Sequence, residues 1–153
     1  MNDNMKKLLQ IIEVLLTEEN FKFEVKENYI QTGIKFNTDL YSDIIIHPLL
    51  ENNIIRFIAL NFIDEGEEPR YEYFMALLKI NFDTILGNFS WDLDEKTYLS
   101  IDFPLNDNTI SNEQFKFCLY SIIMILEKYV PVLEKILSSN IPLREIFFSF
   151  EED

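Results

Sequence analysis

The apolar residues of this chain switch repeatedly between helical and alternating spacing, and the order of those switches confines the fold more than any single motif does. Residues 3–18 set Met5, Leu8, Leu9, Ile12, Leu15 and Leu16 at helical spacing, with Asn2 or Asp3 as N-cap. Phe21, Phe23 and Val25 then alternate with Lys22, Glu24 and Lys26, the pattern of a half-buried strand. Ile30, Thr32, Ile34 and Phe36 continue in strand style, with Gly33 permitting a bulge or a close backbone approach. Two β-branched runs, 42–50 and 54–63, flank Glu51-Asn52-Asn53, which reads as a hairpin turn because Asn tolerates positive φ. Asp64-Glu65-Gly66-Glu67-Glu68 reads as a solvated connector, and Pro69 suits the first position of a helix. Tyr71, Phe74, Met75, Leu78 and Phe82 supply that helix with a core-facing stripe. Phe89, Trp91 and Leu93, then Leu99, Ile101 and Phe103, alternate with polar residues as a second hairpin. Ser111 and Gln114 form the capping box of a last helix that runs to about Leu137. Pro131 should bend it, having no N–H for the carbonyl of Glu127.

The expected fold class is α+β, in the order helix, strands, helix, β-hairpin and long helix. The helices pack on a mostly antiparallel, twisted sheet. A length of 153 residues fits one domain, taken as 1–140, followed by an apolar tail, 141–153, that ends in the acidic cap Glu151-Glu152-Asp153.

Charge narrows the partners. Thirteen Lys and Arg face 27 Asp and Glu, for a net charge of -14, and a surface that acidic repels nucleic-acid phosphates and anionic membranes alike. A single cysteine closes no internal disulfide. Gln10 and Glu13 interrupt the apolar N-terminal stretch, against a signal peptide. The uncharged run from Phe117 to Leu126 is far shorter than the ~20 residues of a membrane span. A cytoplasmic location is expected.

No reaction declares itself. Three glycines, at 33, 66 and 87, cannot assemble a phosphate-cradling loop, and Gly87 reads as a turn before a strand. His47 is the sole histidine, expected to be partly buried and paired with backbone, and Cys118 reads as a small core residue. Zinc sites need more Cys and His than one of each. Asp92, Asp94 and Glu95 bracket a hairpin and could hold a hard cation, but a calcium loop's glycine and distal glutamate are missing. A solvated turn is the plainer reading. No catalytic residue, metal ligand or cofactor is expected.

The last helix is the unusual element. Phe115, Cys118, Leu119, Ile122, Leu126, Tyr129 and Leu133 form one narrow stripe, which covers the sheet. Phe117, Tyr120 and Met124 fall on nearly the opposite side. A helix apolar on both sides calls for cover on both, from another helix, from the tail, or from a second subunit. The tail carries Ile141, Leu143, Ile146, Phe147, Phe148 and Phe150, and a segment so rich in aromatics should dock rather than stay disordered. Phe117, Tyr120, Met124, Phe147, Phe148 and Phe150 are therefore the candidate partner or dimer contacts, and a homodimer through the Phe117, Tyr120 and Met124 face, or through the preceding helix beside it, is expected.

These residues carry a resemblance. The stretch from about Tyr71 to Leu137 resembles the second half of the YbjN family, whose fold is shared with type III secretion chaperones. The matching pieces are a Leu-Leu-x-x-Asn helix end at Leu77, Leu78 and Asn81, and Gly87-Asn88-Phe89 with Asp92 opening a hairpin. Tyr129 and Pro131 resemble the family's Tyr-x-Pro ending. The glycine that members often have in the hairpin turn is replaced around Asp94-Glu95-Lys96. The resemblance implies an α+β domain, often dimeric, with no known chemistry. Its bacterial relatives include proteins described only as sensory-transduction regulators, and its fold relatives are small acidic chaperones that bind extended polypeptides.

Two functions compete. The first is a non-enzymatic protein-binding module, chaperone-like or regulatory, that takes a partner polypeptide in apolar grooves or at a sheet edge. An immunity-type inhibitor belongs to the same class. The second is a small-ligand or cation-binding domain, or an enzyme, built on the acidic residues near 92–95.

Overall fold

A computed structural model of the chain describes residues 2–37, 39–140, 142, 144 and 145. Among the described residues, the α-helices and strands follow in the order α1 (Asp3–Glu18), β1 (Phe23–Val25), β2 (Ile30–Phe36), β3 (Leu40–Leu49), β4 (Ile54–Leu60), α2 (Tyr71–Asp83), β5 (Asn88–Asp92), β6 (Lys96–Pro104) and α3 (Asn112–Ser138). The strands form one antiparallel sheet in the order β1-β2-β3-β4-β6-β5. This is the expected α+β architecture.

Register explains why one face of the sheet is dry. Ile30 lies opposite Ile46, Ile46 opposite Phe57, and Phe57 opposite Ile101, so these side chains share a face, and all four are buried. Helix α3 crosses β2, β4 and β6 on the dry side, with α1 against β3 and α2 against β5 and α3. Gln31, Asp43, His47, Arg56 and Asp102 alternate onto the other face, where Arg56 pairs in bidentate fashion with Asp102 at 2.6 and 2.7 Å.

Several ends follow local chemistry. Asn2 caps α1, its Oδ1 accepting from the Asn4 N–H at 3.0 Å. The capping box of Ser111 and Gln114 opens α3 as expected. The β3–β4 turn is a single 3-10 turn that ends on Asn53 at φ 54°, the positive φ anticipated for asparagine. Gly33 sits in regular pairing opposite Asp43, without a bulge. The Tyr41 ring lies across it, and a Cβ there would stand 1.9 Å from the phenolic oxygen, so a side chain at this position would displace that ring.

Other expectations are corrected. β1 starts at Phe23 rather than Phe21, and Val25 is exposed, because an edge strand of three residues receives little cover. β4 ends at Leu60, since Asn61 takes φ 59° and turns the chain before Phe62 and Ile63. Leu93 lies in the turn, not the strand, and is exposed. Pro69 stands before the N-cap, which is Arg70, so the helix begins at Tyr71. Glu65 is not solvated but buried. Helix α3, by contrast, ends at Ser138, one residue from the expected Leu137, with Pro131 inside it.

The largest correction concerns α2. Its core side is Tyr73, Ala76, Leu77 and Ile80, an i, i+3, i+4, i+7 set that competes in the sequence with the bulkier stripe. Tyr71, Met75, Leu78 and Phe82 face out instead, Leu78 at 63% and Phe82 at 86% exposure. Ala76 is small enough for close approach, and buried Tyr73 has a partner for its hydroxyl: Thr97 Oγ1 at 2.7 Å. Two apolar stripes exist on this helix, and hydroxyl satisfaction helps decide which one goes in.

Candidate functional site

The residues that the sequence singled out in α3 border a groove. Phe117 and Met124, both exposed, line one wall with Ser121, Ile125 and Lys128. The opposite wall is the exit of α2, with Asp83, Thr84, Ile85 and Leu86, where Ile85 is fully exposed. The open volume is about 460 Å³. Phe117, Ser121, Met124 and Lys128 recur at intervals of three and four, so they share one line along the helix.

Tyr120 is brought near but turned away from this line, toward the end of α1. Its hydroxyl donates to Glu19 Oε2 at 2.8 Å, and Lys116 Nζ pairs with Glu19 Oε1 at 2.7 Å. Those two partners hold the Glu19 carboxyl below the usual carboxylate range, Lys116 foremost. Tyr120 thus fastens α3 to α1, and Phe117 and Met124 remain as open contacts. Phe147, Phe148 and Phe150 lie outside the described residues.

The motif residues build the frame of the groove. Asn81, near the end of α2, acts as a substitute strand for β5: its Nδ2 donates to the Phe89 carbonyl and its Oδ1 accepts from the Phe89 N–H, both at 2.7 Å. Gly87 takes φ +83°, and a Cβ there would meet Ile101 Cγ1 at 3.0 Å and the Ser100 carbonyl at 3.2 Å. Asn88 opens β5, and Phe89 packs edge-on against Tyr129, with ring centroids 6.3 Å apart. Asp92 Oδ1 accepts from the Asp94 N–H at 2.9 Å and from the Glu95 N–H, tying the hairpin turn. Where a glycine would be usual, Lys96 takes φ 60°. Pro131 lies inside α3, two residues after Tyr129.

The other candidates have structural settings. Asp92 already serves the turn, and among the described residues no group of three or more His, Cys, Asp or Glu is placed to hold a metal. Cys118 is fully buried, and burial pushes its thiol up to about 12. His47 meets the edge of Tyr29 at 6.3 Å between centroids; burial first, then the Arg56 charge, lower its pKa. The sequence missed Glu65. Its Oε1 accepts from the Thr97 N–H at 2.6 Å and from Thr97 Oγ1 at 2.8 Å, joining the Tyr73 hydroxyl in one buried network. No signal in that run of acids and glycine marked one of them for the interior. The same region borders a second opening of about 610 Å³ with Asp39, Asp64, Glu67, Glu95 and Glu134 at its edge.

Comparison with solved structures places the fold. The chain is similar to the crystal structure of YbjN from E. coli, described as "a putative transcription regulator", with a TM-score of 0.52 and 17% identity. The match covers 78% of this chain and 89% of that one. No family model and no curated protein sequence matches the chain.

Proposed function

With the YbjN-like fold in hand, we propose that the protein is a non-enzymatic polypeptide-binding module, chaperone-like or regulatory, whose binding site is the groove between the exit of α2 and α3. One observation carries the reading: Ile85, Phe117 and Met124 stand exposed together around an apolar hollow, and adjoining exposed apolar side chains in a folded protein mark interaction sites. Each large side chain covered by a partner contributes roughly 1.5–3 kcal/mol when fully buried. The groove takes apolar residues spaced along a helix or an extended strand, and the chain's net charge of -14 favours a partner with basic flanks. Self-association through Phe117 and Met124, with homodimers as the result, is the other way of covering them. A charge of -14 on every copy works against it.

The test is capture with the native protein and with Met124→Asp in parallel, combined with light scattering. The reading expects a partner polypeptide retained by the native protein, lost with the variant, and no change in melting temperature. Equal retention by both proteins would place binding elsewhere, and a mass that halves on substitution would make the partner a second copy. A ligand-binding domain predicts instead that divalent cations or a metabolite raise the melting temperature.

A further inference from the structure

Apart from Met1, which lies outside the described residues, the sulfur of this chain sits in Met5, Met75, Cys118 and Met124. Met5 packs against the core. Cys118 is fully buried in α3, where its thiol stays protonated at neutral pH and is a poor nucleophile. Met75 is 37% exposed on α2, whereas Met124 is 68% exposed in the wall of the groove. Among the described residues, the most open sulfur is therefore the one over which a partner would be seated. Its neighbours suit an oxidised sulfur. Ser121 and Lys128 stand three residues before and four residues after Met124, on the same line of α3, and both border the hollow. A thioether accepts hydrogen bonds weakly, but its sulfoxide is a polar group with an oxygen acceptor. One hydroxyl and one ammonium, the latter 5.0 Å from the centroid of the Tyr129 ring, flank the place where that oxygen would form.

We propose that Met124 is a site of reversible oxidation, at which a hydroperoxide switches off polypeptide binding in the groove; the inference rests on the groove reading above. In the oxidation step the thioether lone pair attacks one peroxide oxygen. The S–O bond forms as the O–O bond breaks, and the proton on the attacked oxygen passes to the leaving one, which departs as water or an alcohol. Sulfur loses two electrons and the peroxide gains them. A thiol-dependent methionine sulfoxide reductase returns the sulfide, oxidising two thiols to a disulfide and releasing water. The switch follows from burial. Ile85, Leu86, Phe117 and Ile125 offer the new oxygen no donor from their side chains. An apolar partner residue seated over the sulfoxide would strip water from it and press against a group that Ser121 and Lys128 hold in its polar form.

Limiting hydrogen peroxide on the full chain, followed by mass-spectrometric peptide mapping, tests the site without any partner. Met124 should be oxidised about fivefold faster than Met75, and faster still than Met5, with Cys118 unchanged. A groove-binding peptide selected from a displayed library then reads the switch by fluorescence anisotropy. The oxidised native protein should bind it about tenfold more weakly at an unchanged melting temperature, and reductase treatment should restore the affinity. Met124→Leu, whatever its own affinity, should show no response to peroxide, while Met75→Leu should respond as the native protein does. Met75 oxidised as fast as Met124 would overturn the inference. So would an oxidised protein that binds the peptide undiminished while Met124→Asp loses it, and the groove reading would then stand. No selected peptide, or one bound alike by the native protein and Met124→Asp, would remove both.

Discussion

Glu65 shows how a single residue can defeat its surroundings in the sequence. It stands among Asp64, Gly66, Glu67 and Glu68, yet it is the member turned inward, because Thr97 offers it two donors from the start of β6. A neighbour thirty-two residues away decided the matter, and no local pattern carries that information. Replacement by alanine leaves the Thr97 N–H buried without its acceptor, so Glu65→Ala should cost about 1–3 kcal/mol in urea unfolding. Tyr73→Phe removes one hydroxyl from the same network and should cost less, about 1 kcal/mol. His47 gives the pH dependence. Its folded pKa lies below the usual 6.5, so the native state favours the neutral ring. Its contribution to stability is present above about 6.5 and is lost as pH falls through the lower folded value. The urea midpoint of the native protein should therefore fall relative to that of His47→Asn between about pH 7.5 and about pH 5.

At the scale of elements, the motif residues were legible because each does local work with short reach. Gly87 gives the turn its positive φ, Asp92 ties the hairpin, and Asn81 supplies both a donor and an acceptor to one residue of β5. Asn81→Ala should then cost about 1–3 kcal/mol. Asn81→Asp keeps the acceptor for the Phe89 N–H but sets a carboxylate against the Phe89 carbonyl. Chemical denaturation should place it at least as low as the alanine variant. Helix α2 was legible as a helix but not in its rotation. Tyr71, Met75, Leu78 and Phe82 are larger on average than Tyr73, Ala76, Leu77 and Ile80, so bulk pointed to the wrong side. Leu77→Asp should unfold the domain or lower its stability by several kcal/mol, since it buries a charge without a partner. Leu78→Asp should leave the fold intact. Thermal melts of this adjacent pair separate the core side from the outward side.

For the whole molecule, the period switches sufficed for the architecture: one antiparallel sheet, dry on one face, under three helices. Which of the outward apolar residues would stand together was not legible, because Ile85 and Phe117 meet only through the packing of α2 on α3. The central claim is that the groove of Ile85, Phe117 and Met124 binds a polypeptide. The direct measurement is selection from an unbiased displayed-peptide library, followed by fluorescence anisotropy with the best selected peptide on the native protein, Met124→Asp and Ile85→Asp. The account predicts peptides with apolar residues at helical or alternating spacing beside Lys or Arg, and affinity that weakens at least tenfold in both variants, with melting temperatures unchanged. No enrichment over background, or an affinity indifferent to both substitutions, would contradict it.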